Sequence, residues 1–266
     1  MNRISNCFER LRRCGKKALV AYLTAGDPDM RASEALIDRV ICSGADIIEL
    51  GVPFSDPTAD GAVIQQASSR ALKAGANLPD ILAMAERIRR KNPETPLVLF
   101  SYYNILFQYG IEKLARQCAR IGIDAWLVVD LPFEERGEIA TPCRENGIDI
   151  IQLLAPTTPP ERAAKILKEA SGFVYYIMVR GVTGAREALP QDLARKLDEI
   201  RALTNLPLVA GFGVASADMA KTAAAHADGV VVGSAFVRTM DEAPSVQDGI
   251  DRTCALAASL AHALKD

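Results

Sequence analysis

Eight short runs rich in valine, isoleucine and leucine recur along the chain, and most are followed by a longer amphipathic segment. The predicted strands cover residues 18–23, 46–50, 97–101, 125–129, 148–153, 173–178, 207–210 and 229–232. Strands that alternate with helices pair in parallel, because a helix makes each return crossing. Near-continuous apolar strands indicate a sheet that is covered on both faces. Eight such units predict a closed (β/α)8 barrel of the TIM type rather than an open doubly wound sheet.

The amphipathic segments predict the helices of the same barrel. They cover residues 30–43, 62–73, 78–91, 111–121, 134–145, 160–169, 192–202, 216–225 and 246–264. Residues 3–13 precede the first strand and predict an extra helix at the N-terminus. No linker or low-complexity segment divides the 266 residues, so we expect one catalytic domain over residues 1–266.

The composition disfavours several classes of protein. A net charge of -2 does not indicate a basic surface that would bind nucleic acid or an anionic membrane. No apolar segment approaches the ~20 residues of a membrane span, and the N-terminus lacks the apolar core of a signal peptide. The six cysteines form no C-x-x-C pair and predict reduced thiols, so we expect a cytoplasmic protein. His226 and His262 lie far apart and support neither a zinc site nor a Ser/His triad.

A carboxylate interrupts the second apolar strand. Side chains alternate between the two faces of a strand, so Ile47 and Glu49 point one way while Ile48 and Leu50 point the other. Glu49 lies at the C-terminal end of this strand, where barrels of this type build their active sites. A buried carboxylate is either neutral or paired. Glu49 is therefore a candidate for proton transfer, and the alternative is a structural glutamate with a polar partner.

The loop after Glu49 carries two more carboxylates. Its sequence, Pro-Phe-Ser-Asp-Pro-Thr-Ala-Asp-Gly, is stiffened by two prolines and ends just before a predicted helix. Asp60 is thus either an N-cap or turn residue or a second carboxylate of an active site. Two carboxylates in different environments can divide acid and base work. From spacing alone, both interpretations of Asp60 remain open.

Carboxylates and lysines at the strand ends bear on two other chemistries. Asp130 follows the fourth strand, and carboxylates at that edge could hold Mg²⁺. The residues alone leave this alternative open. No lysine ends a predicted strand, which disfavours an aldolase that forms a Schiff base.

Glycine-bearing segments follow the last three strands. They are residues 181–184, 211–213 and 233–235. Glycine lets backbone N–H groups approach a phosphate closely, and barrels often bind phosphate after strands seven and eight. The residues therefore predict a barrel enzyme that acts on a phosphorylated substrate by proton transfer, without an evident cofactor.

The stretch from Glu49 to Gly61 reads ELGVPFSDPTADG and closely resembles the signature of the tryptophan synthase α chain family. The similarity spans nearly the whole chain. It includes residues 22–28, Tyr102 and Asn104, residues 130–132, and the three glycine-bearing segments.

This resemblance implies a TIM barrel that cleaves indole-3-glycerol phosphate by a retro-aldol reaction to indole and glyceraldehyde 3-phosphate. It implies no cofactor or metal in this chain. It also implies an α2β2 complex with a β chain, which holds pyridoxal phosphate and makes L-tryptophan from the indole.

The resemblance also implies roles for individual residues. Glu49 shuttles protons, and Asp60 accepts from the indole N–H and stabilises the charge that develops there. Asp56 faces the β chain. Substrate and phosphate binding falls to Tyr22, Tyr102, Tyr175, Thr183, Gly184, Phe212, Gly213, Gly233 and Ser234. Residues 53–60 and the segment after Met178 are expected to act as lids.

Some positions depart from the family pattern. A serine often precedes the Gly-Val-Thr-Gly loop, but here the preceding residues are Met178, Val179 and Arg180. Thr58 stands where a leucine is common. Tyr22 stands where phenylalanine is frequent. These changes bear on lid closure and on coupling to a β chain. Two alternatives stay open: a stand-alone lyase that releases free indole, and a non-catalytic activator of the β chain.

Overall fold

A single parallel sheet forms the centre of the molecule. The computed structural model describes residues 2–178, 190, 192–211 and 213–266. The strands in these residues are β1 Ala18–Thr24, β2 Ile47–Gly51, β3 Leu97–Ser101, β4 Ala125–Val128, β5 Asp149–Ile150, β6 Gln152–Leu154, β7 Val174–Ile177, β8 Leu208–Gly211 and β9 Gly229–Val232. Their order in the sheet is β5-β4-β3-β2-β1-β9-β8-β7-β6. The predicted barrel of parallel strands is confirmed.

The predicted fifth strand is interrupted at Ile151. Its first piece, β5, pairs with β4, whereas its second piece, β6, pairs with β7. The two pieces are consecutive in the chain and stand at opposite ends of the strand order. The interrupted strand therefore closes the barrel.

Helices surround the sheet. One helix precedes the first strand, and two follow the last strand. The helices in the described residues are α1 Arg3–Arg13, α2 Met30–Cys42, α3 Ala62–Lys73, α4 Leu78–Lys91, α5 Tyr103–Tyr109, α6 Ile111–Ile121, α7 Gly137–Glu145, α8 Pro160–Lys168, α9 Leu193–Arg201, α10 Ala217–Ala224, α11 Ser234–Asp241 and α12 Val246–Lys265. A 3₁₀ turn at Phe133–Glu135 precedes α7. The extra N-terminal helix is confirmed, whereas the short helices α5 and α11 were not predicted.

Several helices begin where the sequence places a capping side chain. Asp29, Asn77, Ser216 and Ser245 each accept a hydrogen bond from a backbone N–H in the first turn of their helix. Such a bond satisfies one of the N–H groups that have no partner within the helix. These caps set where α2, α4, α10 and α12 begin.

Alternation along the strands produces two apolar layers. In β1, Leu19 and Leu23 pack outward beneath the helices, whereas Val20 and Tyr22 point into the barrel. Helix α1 contributes its buried face to the interior layer, and the ring of Phe8 lies 5.9 Å from that of Phe173. Because Phe173 immediately precedes β7, α1 closes the N-terminal end of the barrel.

Aspartates fasten the same N-terminal end. Asp46, Asp124 and Asp228 each lie just before a strand and accept a backbone N–H from the neighbouring strand. These carboxylates are structural, so functional carboxylates are to be sought at the opposite end. None of the helices in the described part of the chain has the length and apolar character that a bilayer crossing requires.

Candidate active site

Glu49 points into the barrel from β2. Its strand neighbour Ile47 belongs to the interior layer, and Glu49 pairs in register with Tyr22 of β1. The glutamate is 0% exposed, and neither carboxylate oxygen has a hydrogen-bond partner among the described residues. The alternative of a structural glutamate held by a polar partner therefore has no support in the described residues.

Burial changes the protonation of Glu49. Taking an ionised carboxylate out of water disfavours the charged form. Desolvation accordingly raises the pKa of Glu49 to about 8. At neutral pH this side chain is mainly a neutral carboxylic acid, which can donate a proton.

Asp60 is buried at the end of the loop after β2. Its carboxylate accepts a hydrogen bond from the Tyr102 hydroxyl at 2.9 Å. Helix α3 is capped by Gly61 and not by Asp60, so the N-cap interpretation of Asp60 was wrong. Burial raises the pKa of Asp60 to about 6, and the bond from Tyr102 opposes this rise. Asp60 is therefore mainly ionised at neutral pH, when Glu49 is mainly neutral.

One cavity of about 440 Å³, including its open mouth, brings the two carboxylates together. The predicted binding residues Tyr22, Tyr175, Gly213, Gly233 and Ser234 also line it. Four apolar residues that the sequence did not single out complete the lining: Ile64, Phe100, Val214 and Val231. Apolar side chains do no acid–base chemistry, so their residue type does not mark them as part of a site. Alternation along β3 and β9 does place Phe100 and Val231 on the inner face.

Two tyrosines fit against glycines of the adjacent strands. A Cβ atom on Gly51 would lie 2.3 Å from the Tyr22 hydroxyl, and one on Gly211 would lie 2.3 Å from the Tyr175 hydroxyl. The Tyr22 ring also packs edge-on against Phe100, with ring centroids 4.9 Å apart. Glycine at these two strand ends therefore makes room for the aromatic wall of the cavity.

Glycine-bearing segments form a further part of the cavity wall. Gly213 has a positive φ of 110°, a conformation that side-chain-bearing residues rarely adopt. Gly233 and Ser234 lie at the start of α11, whose N-terminal end favours an anion. The other predicted binding residues, Thr183, Gly184 and Phe212, lie outside the described residues, as do Val179 and Arg180 of the second lid.

The first predicted lid segment, residues 53–60, ends at Asp60 in the wall of this cavity. Tyr102 is not among the residues that line the cavity; its hydroxyl accepts from the backbone N–H of Ala59 at 3.0 Å and its ring lies 4.9 Å from that of Phe54. The described contacts thus place Tyr102 against the predicted lid segment. Asp56 and Thr58 are exposed on the same segment.

Asp130 has a structural contact. Its carboxylate accepts from the backbone N–H of Tyr103 at 2.7 Å, at the start of α5. The described residues contain no group of three or more His, Cys, Asp and Glu residues that could hold a metal ion.

The chain is similar to known proteins along nearly its whole length. Residues 8–265 match a family model described as tryptophan synthase alpha chain. Proteins of that name from Citrifermentans bemidjiense and Geobacter sulfurreducens are 48% and 46% identical; the matches cover 91% of this chain and 90% of the first relative, and 94% of this chain and 94% of the second.

Solved structures agree with this similarity. The crystal structure of the tryptophan synthase alpha subunit from Legionella pneumophila superposes with a TM-score of 0.91 at 38% identity, covering 99% of this chain and 98% of that one. A structure of Mycobacterium tuberculosis tryptophan synthase gives 0.92 at 35% identity, covering 100% and 99%.

Proposed function

The chain belongs to the tryptophan synthase alpha chain family and is a lyase, and from this premise we propose how its residues cleave indole-3-glycerol phosphate. The products are indole and glyceraldehyde 3-phosphate. The observation that carries the proposal is Glu49, a buried carboxyl group without a described hydrogen-bond partner in the wall of the cavity. We further propose that residues 1–266 act as one catalytic domain.

Glu49 moves the protons in both halves of the reaction. Its neutral carboxyl group donates a proton to C3 of the indole ring, which gives an indolenine cation. The resulting carboxylate then removes the proton of the hydroxyl group next to the breaking bond. As the aldehyde forms, the electron pair of the carbon–carbon bond returns to the ring. A pKa near neutrality suits a group that acts first as acid and then as base.

Asp60 stabilises the charge of the intermediate. The indole nitrogen becomes positive when C3 is protonated, so a fixed carboxylate at the ring N–H lowers the energy of this state. Asp60 is ionised at neutral pH, and Tyr102 holds one of its oxygens. The aromatic wall of Tyr22, Phe100 and Tyr175 supplies the apolar surface for the indole ring.

The glycine-bearing segments receive the phosphate. Backbone groups of Gly213, Gly233 and Ser234 are the described candidates. By the family pattern, the backbone of Gly184 and Phe212 completes this end of the site, and Thr183 closes around the substrate. No step requires a metal ion, and we expect EDTA to leave the activity unchanged.

We propose a tryptophan synthase β chain as the partner, in an α2β2 complex. Pyridoxal phosphate would belong to that partner, and Asp56 on the exposed lid segment would face it. Support comes from the match to the tryptophan synthase of M. tuberculosis. We also propose that the protein works in the cytoplasm. A stand-alone lyase would use the same residues, whereas a mere activator of the β chain would need neither Glu49 nor Asp60.

The first test is a steady-state assay with indole-3-glycerol phosphate, in which indole and glyceraldehyde 3-phosphate are both measured. Slow cleavage by the chain alone and a large stimulation by a β chain would support the α-chain role. Fast cleavage that a β chain does not change would favour the stand-alone lyase. Absence of cleavage in both conditions, in folded protein, would overturn the proposed reaction.

Glu49→Gln is the matched variant for the same assay. Glutamine keeps the size of the side chain but cannot exchange the proton, so indole release should stop. Binding of glycerol 3-phosphate should stay near the wild-type value, because the glycine-bearing segments are untouched. Turnover at the wild-type rate would remove Glu49 from the mechanism.

A further inference from the structure

Two short helices begin at the rim of the cavity. Helix α3 starts directly after Asp60 and Gly61, and helix α11 starts at Ser234, directly after Gly233. The first turn of α3 contributes Ile64 to the cavity wall. The carboxylate end and the phosphate end of the site thus depend on where these two helices begin.

The two helices pack on each other and on the interior of the barrel. Ile64 and Ala67 of α3 share the interior layer with Val237 of α11 and with Tyr22. Helix α11 also contacts α3 and β1 directly. A shift of one helix along the other would therefore move one end of the site relative to the other.

Arg70 joins α3 to two other elements. Its Nε and Nη2 donate to the two carboxylate oxygens of Asp27, each at 2.8 Å. Its Nη1 lies 2.8 Å from Oδ1 of Asp241, the last residue of α11. The planar guanidinium group suits this arrangement because its donors lie in a fixed fork. One side chain thus links α3, α11 and the loop after β1.

The loop after β1 is a firm anchor for this link. Asp27 is 5% exposed, and the backbone N–H groups of Gly26 and Asp27 donate to the Ser33 hydroxyl and the Thr24 carbonyl. A Cβ atom on the neighbouring Gly26 would lie only 2.6 Å from Cβ of Ala76, just after α3. The loop therefore approaches the α3 end closely, and Arg70 fixes α11 relative to it.

We propose that Arg70 is a positioning residue, which holds α11 against α3 and so sets the distance between the phosphate-binding end of the cavity and Asp60. This inference rests on the proposed function, because it takes the start of α11 as the phosphate site. Arg70 itself is not among the residues that line the cavity. Its effect should therefore fall on substrate affinity more than on the rate of the proton transfers.

The chain offers a matched control for this ion pair. Arg39 of α2 bonds Asp251 of α12 at 2.5 Å, so it also joins two helices through an arginine and an aspartate. Neither of these residues lines the cavity. Arg39→Met should leave substrate affinity unchanged, whereas Arg70→Met should weaken it.

The experiment compares Arg70→Met, Arg70→Lys, Asp241→Asn and Arg39→Met with the wild type. KM and kcat are measured with indole-3-glycerol phosphate, and calorimetry measures the dissociation constant of indole-3-propanol phosphate, an unreactive analogue that carries both the indole ring and the phosphate. For Arg70→Met we expect both KM and the dissociation constant to rise about tenfold, because small displacements in a site are costly. kcat should stay within about threefold of wild type, since the carboxylates are unchanged. Lysine should restore part of the affinity, because it keeps the charge without the fork.

Arg70→Met leaves Asp27 buried and unpaired, and this variant could fail to fold for that reason. Asp241→Asn tests the proposal in that case. It removes only the exposed ion pair between Arg70 and Asp241 of α11. For a pair of this exposure we expect about a threefold rise in the dissociation constant. A folded Arg70→Met or Asp241→Asn variant with wild-type KM and dissociation constant would overturn the inference. A loss of kcat with unchanged KM would also overturn it. If the wild type does not turn over the substrate, the proposed function fails, and the calorimetry still decides on Arg70.

Discussion

The Tyr102 hydroxyl donates to Oδ2 of Asp60 and accepts from the backbone N–H of Ala59, so a single side chain holds both the carboxylate and its loop. A hydrogen bond to a carboxylate favours its ionised form. Burial raises the pKa of Asp60 to about 6, and the Tyr102 bond opposes this effect. Tyr102 therefore keeps Asp60 available as an anion at neutral pH.

Tyr102→Phe should move the acidic limb of the pH profile to higher pH. Without the hydroxyl, the pKa of Asp60 rises, by roughly one unit or less for one hydrogen bond. The pH at which kcat/KM falls on the acidic side should rise together with the pKa of Asp60, because the reaction needs the charged form of Asp60. The measurement is kcat/KM from pH 5 to 8.5. Tyr109→Phe is the control, since its hydroxyl binds Gln117, away from the cavity. An acidic limb in Tyr102→Phe that coincides with the wild-type limb would contradict the assigned role.

Glu49 should make the folded state less stable as the pH rises. Its pKa is about 8 in the folded protein against an ordinary value of 4.5, so the folded state binds the proton more tightly. Stability from this group is present below about pH 4.5 and is lost as the pH rises to about 8. The loss amounts to roughly 1.4 kcal/mol per pH unit, or a few kcal/mol in all.

Glu49→Gln should remove this dependence. Urea unfolding at pH 5.5 and 8.5 can be followed through Trp126, the only tryptophan of the chain, which is fully buried. The free energy of unfolding should fall more steeply with pH in the wild type than in the variant, and the variant should be more stable at pH 8.5. Other groups titrate equally in both proteins, so parallel profiles would mean that Glu49 is ionised in the folded state.

Gly211→Ala should displace Tyr175 from the cavity wall. The added Cβ would meet the hydroxyl at 2.3 Å and two ring carbons at 2.4 Å, so the tyrosine must move. Overpacking of this kind costs about 1–3 kcal/mol of stability, and activity should fall with it. Gly137→Ala in α7 is the matched control, because a Cβ there has nothing within 4 Å. Its free energy of unfolding should stay within about 0.5 kcal/mol of wild type. Equal effects of the two substitutions would show that Tyr175 adapts freely.

The sequence predicted the barrel well because its strands are short, apolar and regularly spaced. It predicted β3 to the residue, and it missed α5 and α11. These helices have seven and eight residues, which is about two turns, so a helical period cannot be read reliably from them. The interruption at Ile151 was also missed, since pairing with different neighbours on either side depends on tertiary structure.

The candidate site, like the fold, could be predicted only in part from the sequence. Glu49 and the glycine-bearing segments could be found because a carboxylate in an apolar strand and repeated strand-end glycines are unusual. Spacing could not decide whether Asp60 caps α3; in the structure Gly61 is the N-cap residue and Asp60 binds Tyr102 instead. Nor could spacing single out Arg70, because its partners are far away in sequence and its helix looks ordinary from its pattern alone.

Of the arginines that the structure describes, Arg89 should be the most costly to remove. It is 8% exposed, bonds Asp124 at 2.8 Å and donates to four backbone carbonyls, those of Asn92, Pro93, Thr95 and Gly122. Arg89→Met would leave these acceptors and a buried carboxylate with fewer partners, at a cost of about 3–5 kcal/mol. In the described part of the chain, its neighbour Arg90 makes only an exposed pair with Glu86, so Arg90→Met should cost less than about 1 kcal/mol. Urea unfolding of both variants at pH 7 measures the difference. A cost for Arg89→Met as small as that for Arg90→Met would mean that water replaces the lost contacts at this end of the barrel.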